Sequence, residues 1–295
     1  MVLRGATGNP AEVIIDGGRA GRCVYGAGLD AATRIEALTL AGGLPAVGAT
    51  PDGDFGAGLY VDGGALSVMN CIFTGNESAV GGGAYVKGTG VPTFVGCVFD
   101  RNEATETAGL LLRGTCNPIV RDCVFRNGWR TMVGGGLSWV GSGHAQVENC
   151  RFEDNTVWET GGGVEVIGSN AQATLRDCVI SGNSAGIGGA GLWVSNWGRV
   201  VLERCSIEEN SADETGAGVF LNGGFLNAVE STILNNVAPD MADGIVTTSS
   251  AATLDCCVFA PEAWGGDGTL TVIDDDCGVA GETTGWGDVK AMFRN

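Results

Sequence analysis

Acidic and arginine side chains recur at similar intervals along the chain and are the first candidates for chemistry. Two carboxylates on one face of a protein can hydrolyse a glycosidic bond, one acting as acid and the other as base or nucleophile. The acidic candidates are Asp122, Glu153, Asp154, Asp177, Glu208 and Glu209, and the arginines among them are Arg121, Arg126, Arg176 and Arg204. Because the signs of these charges alternate, the pattern favours ion pairs between neighbouring segments over a catalytic site.

Histidine and metal chemistry have few residues to work with. The chain has one histidine, His144, which leaves little basis for histidine-based nucleophilic or metal chemistry. The carboxylates of "PDGD" at 51–54 and "DDD" at 274–276 could hold calcium, although neither segment completes a ligand loop. We therefore predict no catalytic residue, no metal site and no cofactor, with calcium as the one exception that the sequence allows.

The cysteines repeat at nearly constant intervals. The eleven cysteines of the chain include seven that form a series with intervals of 26 to 28 residues, in which Ser231 takes one place. The series is Cys71, Cys97, Cys123, Cys150, Cys178, Cys205, Ser231 and Cys257. A glycine keeps the same interval, at Gly58, Gly83, Gly109, Gly136, Gly163, Gly191, Gly218 and Gly244. Such self-similarity predicts a repeat architecture.

Each repeat contains three short apolar segments separated by glycine and polar turns. One follows the repeating glycine, one leads into the cysteine, and one follows it with an aromatic or β-branched residue two places on. Three strands in about 26 residues without long connections predict a parallel β-helix, an all-β solenoid of about eight regular coils of 26–28 residues. The residues two places after the cysteine are predicted to form a core column: Phe73, Phe99, Phe125, Phe152, Ile180, Ile207, Ile233 and Phe259.

Strand alternation places the repeating cysteines in the core as well. Cβ atoms of in-register neighbours on parallel strands run side by side, so we predict a buried column of reduced thiols. Cys256 and Cys277 lie outside that column and are the pair that could form a disulfide. The asparagine five places after the cysteine is predicted to bond turn backbone and the next asparagine along the stack. The coil of Cys123 has Gly128 at that place and is expected to carry a different turn.

The segments "GGGAYV" and "NCIFTGN" resemble known bacterial repeats. They are similar to the "GGA-x-x" and "F-x-x-N" repeats of chlamydial polymorphic outer-membrane proteins and to the broader right-handed β-helix, pectate-lyase-like superfamily. The resemblance covers roughly residues 35 to 260. It implies surface adhesins and passenger domains on one side, and polysaccharide lyases and hydrolases on the other. Lyases of this superfamily use calcium-binding aspartates with a basic proton acceptor. Because one fold carries several functions, the resemblance leaves the function open.

A second column, two residues after each repeating glycine, is predicted to face solvent. It consists of Tyr60, Tyr85, Leu111, Ser138, Glu165, Trp193, Phe220 and Val246. An exposed aromatic stripe of this kind is typical of an interface, and a covering loop or β-propensity alone would also explain it. We predict that Tyr60, Tyr85, Glu165, Trp193 and Phe220 bind a polysaccharide, a surface protein or a second copy of the chain. The alternative is a polysaccharide lyase or glycoside hydrolase acting on the same face.

Composition limits the partners and the location. The formal net charge of -18 disfavours nucleic acid and anionic lipid as partners. The sequence contains no run of 18 apolar residues, so it does not predict a membrane-spanning segment. We expect an extracellular or cell-surface protein, with any export signal outside this sequence. The expected organisation is a single domain, with irregular coils over 1–45, regular repeats over 46–260, and a last coil with a cap over 261–295, in which Val289, Met292 and Phe293 could close the end.

Overall fold

Short parallel strands recur in the same order in every repeat. The computed structural model describes residues 1–46, 53–239, 243–259 and 264–273. Within these residues the strands form three sheets, which we name A, B and C, and one 3-10 helix spans Pro10–Glu12. Asn9 caps that helix by accepting a hydrogen bond from the Ala11 amide.

Sheet A contains two ladders, because most repeats give it one strand before a turn and one strand after it. The first ladder consists of Val24–Leu29, Leu59–Gly64, Ala84–Gly90, Leu110–Cys116, Leu192–Ser195, Val219–Asn222, Ile245–Thr248 and Trp264–Gly266. The second consists of Val2–Arg4, Arg34–Glu36, Ser67–Met69, Thr93–Val95, Ile119–Arg121, Arg199–Glu203, Phe225–Val229, Ala251–Asp255 and Thr269–Val272. Two long strands, Leu137–Glu148 and Val164–Arg176, run through both ladders.

Sheets B and C each take one strand from a repeat. Sheet B consists of Ile14–Asp16, Thr39–Ala41, Ile72–Thr74, Val98–Asp100, Val124–Arg126, Arg151–Glu153, Val179–Ser181, Ser206–Glu208, Thr232–Leu234 and Val258–Phe259. Sheet C consists of Glu77–Val80, Glu103–Glu106, Thr131–Val133, Thr156–Thr160, Ser184–Ala185 and Ser211–Ala212. A coil therefore runs from sheet A through sheet B to sheet C and back to sheet A.

Every strand pairs in parallel with its equivalent in the next coil. Phe99 pairs with Phe73 on one side and with Phe125 on the other. This pairing confirms the predicted parallel β-helix. Of the ten strands that sheet B has within the described residues, eight come from the regular repeats. Ile14–Asp16 and Thr39–Ala41 extend the same sheet toward the N-terminus.

The predicted core column fills the inside of the solenoid. Consecutive phenylalanine rings stack almost parallel, with centroids 4.5 Å apart for Phe73 and Phe99 and 4.7 Å apart for Phe99 and Phe125. Phe152 continues the stack, and Ile180 continues the column in the next coil. Because coils are spaced as hydrogen-bonded strands are, one aromatic residue per coil produces a continuous ring stack.

Single residues in the left-handed region make the corners between the sheets. The residue before each repeating cysteine has a φ of 49° at Asn70, 54° at Asp122 and 52° at Asp177. Asn and Asp adopt this conformation more readily than other residues with a Cβ. This preference explains why so many of the repeating cysteines follow an amide or acidic residue.

The repeating asparagines form a buried ladder, as predicted. The Asn183 Nδ2 donates to the Oδ1 of Asn210 at 2.9 Å and to the backbone oxygen of Phe152 at 2.9 Å. Asn155 donates to Asn183 in the same way at 2.9 Å. At the coil of Cys123 the Gly128 amide donates to Asn155 Oδ1 instead. The coil of Cys123 therefore differs from the others, as predicted, because Gly128 supplies no side-chain amide to the ladder.

The cysteine column is buried and reduced in the described structure. Cys71, Cys97, Cys123, Cys150, Cys178 and Cys205 are free thiols that are at most 3% exposed. Burial raises the pKa of the Cys71 and Cys97 thiols. Cys257 is also free and half-buried. Cys256 is disulfide-bonded, and Cys277, the partner predicted for it, lies outside the described residues.

The alternating charges next to the cysteine column form ion pairs between coils. Arg176 bonds Glu203 at 2.6 Å and Glu148 at 3.2 Å. Arg204 bonds Asp177 at 2.8 Å and holds the pKa of that carboxyl below its usual value. These contacts confirm the ion-pair interpretation of the arginine and acidic pattern. They link neighbouring strands at the surface and leave these groups already partnered.

Several predictions concern residues at the edges of the described ranges. The cap residues Val289, Met292 and Phe293 and the segment 274–276 lie outside the described residues. In the segment 51–54, Asp54 is described and its Oδ1 accepts a hydrogen bond from the Ala79 amide at 3.1 Å. Among the helices of the described residues, none is both long and apolar enough to cross a membrane.

Candidate functional site

The second repeating column stands on the first ladder of sheet A, on the side away from the core. We call Tyr60, Tyr85, Leu111, Ser138, Glu165, Trp193, Phe220 and Val246 the floor column, because consecutive members pair directly in register. The adjacent residues Leu59 and Val61 belong to the main core, whereas Tyr60 and Tyr85 form a separate cluster with Leu111. The strand alternation assigned from the sequence is therefore correct.

The predicted solvent exposure of the floor column is wrong for most of its members. Tyr60 is 1% exposed, and Tyr85 and Glu165 are 2% exposed. Leu111, Ser138 and Val246 are also buried. Only Trp193 and Phe220 are half-buried rather than buried. The proposed binding role of these residues stays a prediction, but it cannot apply in the same way to side chains that solvent does not reach.

Burial arises because the column lies in the inner angle of a corner. A left-handed residue such as Gly81 bends the chain from sheet C onto sheet A, so the end of each sheet C strand stands beside the floor column. Val80 packs on the tyrosine cluster from that side. The Phe55 ring meets Tyr85 edge to face, with centroids 5.5 Å apart. Sheet A thus forms the floor of a lengthwise groove, and sheet C forms its wall.

Charged side chains close the groove over the tyrosines. Arg113 forms an ion pair with Glu106 on the wall, and its guanidinium lies 5.9 Å from the Tyr85 ring centroid. The guanidinium of Arg22 lies 4.9 Å from the Tyr60 ring centroid. An arginine over an aromatic face is stabilising, so this half of the groove is closed by its own side chains.

The middle of the floor is polar. Thr107 Oγ1 donates a hydrogen bond to Ser138 Oγ at 2.8 Å, and Ser138 Oγ donates to Glu165 Oε2 at 2.9 Å. Burial is the main cause that raises the pKa of the Glu165 carboxyl to about 7; the Ser138 hydroxyl and Arg113 oppose the rise, and the nearby Glu106 adds to it. A buried carboxyl of this kind changes its charge near neutral pH.

Near the open part of the groove, the sheet C segment of each coil is one residue longer than in the preceding coils. Two residues separate the buried Ala104 from the corner at Thr107, whereas three separate Val157 from the corner at Gly161. The register between the strands Thr131–Val133 and Thr156–Thr160 is irregular at this step. The extra residue persists in the next two coils, which are those of Trp193 and Phe220. The longer wall accompanies the accessible floor at Trp193 and Phe220, whereas Glu165, whose coil has the same extra residue, stays buried.

Trp193 and Phe220 form the floor of this open part. Their rings meet edge to face with centroids 4.7 Å apart. The wall beside them is formed by Thr160, Gly188 and Thr215, which pair with one another from coil to coil. A Cβ at Gly188 would lie 2.7 Å from the Phe220 ring, so only glycine leaves room for this ring. The open groove therefore offers an aromatic floor beside a wall with two threonine hydroxyls.

Other aromatic side chains are exposed on the outer face of sheet C. Trp158 is 62% exposed and Trp129 is 48% exposed, and Met132 beside them is 38% exposed. They belong to neither of the repeating columns that the sequence shows. Their signal was the alternation around the buried Val157, which places Trp158 on the outer face.

The remaining catalytic candidates do not converge. His144 is exposed, and its Nε2 lies 2.8 Å from Thr174 Oγ1 on the neighbouring coil. Among the described residues, no group of three or more His, Cys, Asp or Glu side chains is arranged to hold a metal ion. The floor column thus contains the most distinctive polar and aromatic arrangement in the described part of the chain.

Comparison with known proteins places part of this chain in one family. The family model for the right handed beta helix region matches residues 48–203. This range includes five of the repeating cysteines, from Cys71 to Cys178, and it ends with the strand Arg199–Glu203 in the second ladder of sheet A. Neither a curated protein nor a solved structure matches the chain.

Proposed function

The chain belongs to the right-handed β-helix family, and we propose that it is an extracellular or cell-surface module that binds a saccharide chain along the open groove. The observation that supports this proposal is the half-buried pair Trp193 and Phe220, held edge to face at 4.7 Å on the groove floor. Aromatic side chains dominate the energetics of binding sites because they bury a large area at low entropic cost. The acidic surface of the chain is consistent with this location.

A saccharide suits the groove better than a compact ligand. The open part of the groove spans the two adjacent coils of Trp193 and Phe220, so two successive units of a chain laid along the axis would each meet an aromatic side chain. Thr160 and Thr215 lie along the wall, and Asn222 adds an exposed amide at the end of the strand that carries Phe220. Hydroxyl and amide groups beside an aromatic floor can bind the polar edges and apolar faces of sugar rings together.

A glycan array with paired variants tests the proposal. We expect wild-type protein to bind one class of polysaccharide, and Trp193→Ala and Phe220→Ala to lose at least about tenfold in affinity for it. The matched control is Trp197→Ala, because Trp197 is 59% exposed and lies outside the floor column. Circular dichroism of each variant verifies the fold. A wild type that binds no glycan, or variants that bind as wild type does, would contradict the proposal.

The same array distinguishes the other partners that the groove could accept. If the wild type binds no glycan but elutes as a dimer, and Trp193→Ala restores the monomer, the groove serves self-association. Binding of a surface protein that is lost in both variants while the array stays blank would assign the groove to a protein partner. Both results reject the saccharide proposal and keep the groove as the interface.

One observation favours the alternative of a polysaccharide lyase or glycoside hydrolase. Glu165 has a pKa of about 7, lies close enough to Glu106 to be influenced by its charge, and so resembles a carboxyl tuned for proton donation. Against this, Glu165 is 2% exposed and has no direct access to a glycosidic oxygen. A reducing-end assay on each polysaccharide that binds decides the matter. Release of reducing ends that disappears in Glu165→Gln would establish the enzyme.

A further inference from the structure

We propose that Glu165 is a protonation switch for the open groove, in which the neutral carboxyl holds Trp193 in place and the ionised carboxylate releases it. The inference concerns regulation of the binding site and rests on the proposed function for its biological meaning. Its structural content, a change in the position of Trp193 with pH, can be tested without any ligand. On ionisation the carboxyl proton passes to solvent, and no other bond changes.

The hydrogen-bond chain that ends at Glu165 is built at a conformational cost. At the corner between sheets C and A, the left-handed position is a glycine in the neighbouring coils, at Gly81 and Gly134, but it is Thr107 in the coil between them. A β-branched residue in this region is strained and persists where the surroundings hold it. Its hydroxyl is the first donor of the chain to Ser138 and Glu165.

Close packing fixes the rest of the chain. A Cβ at Gly134 would lie 2.0 Å from Ser138 Oγ and 2.8 Å from Thr107 Oγ1, so a side chain there would displace both hydroxyls. Ser138 itself is fully buried, and its hydroxyl donates a hydrogen bond to Glu165. Glycine, serine and strained threonine thus act together to place one hydroxyl donor against the Glu165 carboxyl.

Glu165 is packed directly against Trp193. The two residues pair in register on adjacent coils, and Trp193 in turn meets Phe220. A Cβ at Gly161 would lie 3.0 Å from the Glu165 Cβ and 3.6 Å from the Trp193 Cβ, which shows how little space separates the three. Trp193 is the half-buried neighbour of the buried Glu165 along the column, so in the proposed switch a Glu165 side chain that moves toward solvent displaces Trp193.

The surroundings favour the neutral carboxyl. The charged groups that act on Glu165 from the side of Ser138 are Glu106 and Arg113, two coils away, and these two are paired with each other. On its own coil the sheet C strand contributes Glu159, another acid, and the flanking side chains Ser138 and Trp193 are uncharged. A buried carboxylate without a cation of its own is unstable, so ionisation drives it toward water. The pKa of about 7 places this change in the neutral range.

Hydroxyl-radical footprinting of the ligand-free protein measures the switch. We expect oxidation of Trp193, relative to Trp197, to rise about threefold or more between about pH 5.5 and 8.5 in the wild type. In Glu165→Gln the ratio should stay constant, because the amide cannot ionise. Trp197 is the internal standard because it is 59% exposed and lies outside the floor column. A constant wild-type ratio, or an equal rise in Glu165→Gln, would overturn the inference.

Ser138→Ala provides an independent variant. The serine hydroxyl stabilises the ionised form, so its removal should move the midpoint of the Trp193 transition to higher pH. An unchanged or lower midpoint would refute the switch even if Glu165→Gln did not fold. On the glycan array, wild type should bind more weakly at high pH, while Glu165→Gln binds equally at both pH values. A blank array at every pH rejects the proposed function but leaves the footprinting result decisive for the switch.

Discussion

The rings of Phe125 and Phe152 lie on adjacent coils with centroids 4.9 Å apart and an angle of 6° between their planes. Their separation matches the distance between hydrogen-bonded strands, so the backbone pairing sets the ring stack. Each ring fills one layer of the core and is in contact with the layers on either side. Each of these coils therefore contributes one core side chain to the stack, and the stability of the solenoid depends on these side chains.

Replacement of Phe125 by alanine is expected to destabilise the protein by about 3 to 5 kcal/mol, since it empties a large buried volume between two rigid coils. Urea unfolding monitored by circular dichroism measures the change. Val237→Ala is the control, because Val237 is 64% exposed and should change stability by less than about 0.5 kcal/mol. A loss below about 1 kcal/mol for Phe125→Ala would show that the ring stack is not a principal source of stability.

The asparagine ladder gives a second prediction. Asn183 donates to Asn210 and to the Phe152 carbonyl and accepts from Asn155, and it is fully buried. Asn183→Ala should cost about 2 to 4 kcal/mol, because it leaves buried partners unsatisfied. Unfolding in urea again provides the measurement, with the exposed Asn222→Ala as the matched control. Equal stability of the two variants would mean that the ladder contributes little.

The repeat pattern was sufficient to predict the fold from the sequence. Strand alternation assigns Phe73 and Cys71 to the core from their spacing alone, and parallel stacking follows from repeats too short for any crossover. The asparagine ladder was predictable for the same reason. In a solenoid, residues that are distant in sequence become neighbours by a fixed interval, so local patterns determine long-range contacts.

The burial of the floor column was not predictable from that periodicity. Alternation shows that Tyr60 and Glu165 point away from the core, but it does not show that sheet C folds back beside them. The bend depends on the left-handed corner residues, whose effect on neighbouring strands is a property of the three-dimensional coil. The additional residue that sheet C has near Trp193 is visible in the sequence only as slightly longer repeats.

A glycine pair separates conformational cost from steric cost in the groove. Gly134 has a φ of 67° and a Cβ there would lie 2.0 Å from Ser138 Oγ, whereas Gly63 has a φ of 77° and open space around it. Gly63→Ala should cost about 1 kcal/mol from the left-handed backbone alone. Gly134→Ala should cost at least about 2 kcal/mol more, because the serine must move. Comparable losses in the two variants would show that the packing around Ser138 is loose.

The last prediction concerns pH and stability. The pKa of Glu165 is about 7 in the folded protein and near the ordinary value of 4.5 when unfolded, so the folded state binds the proton more tightly. Its contribution to stability is full below about pH 4.5 and declines as pH rises, by roughly 3 kcal/mol once pH exceeds 7. Glu165→Gln should lack this decline. Its free energy of unfolding minus that of the wild type should therefore increase from pH 5 to 8 in urea unfolding. A constant difference would mean that Glu165 is already ionised in the folded protein at pH 5.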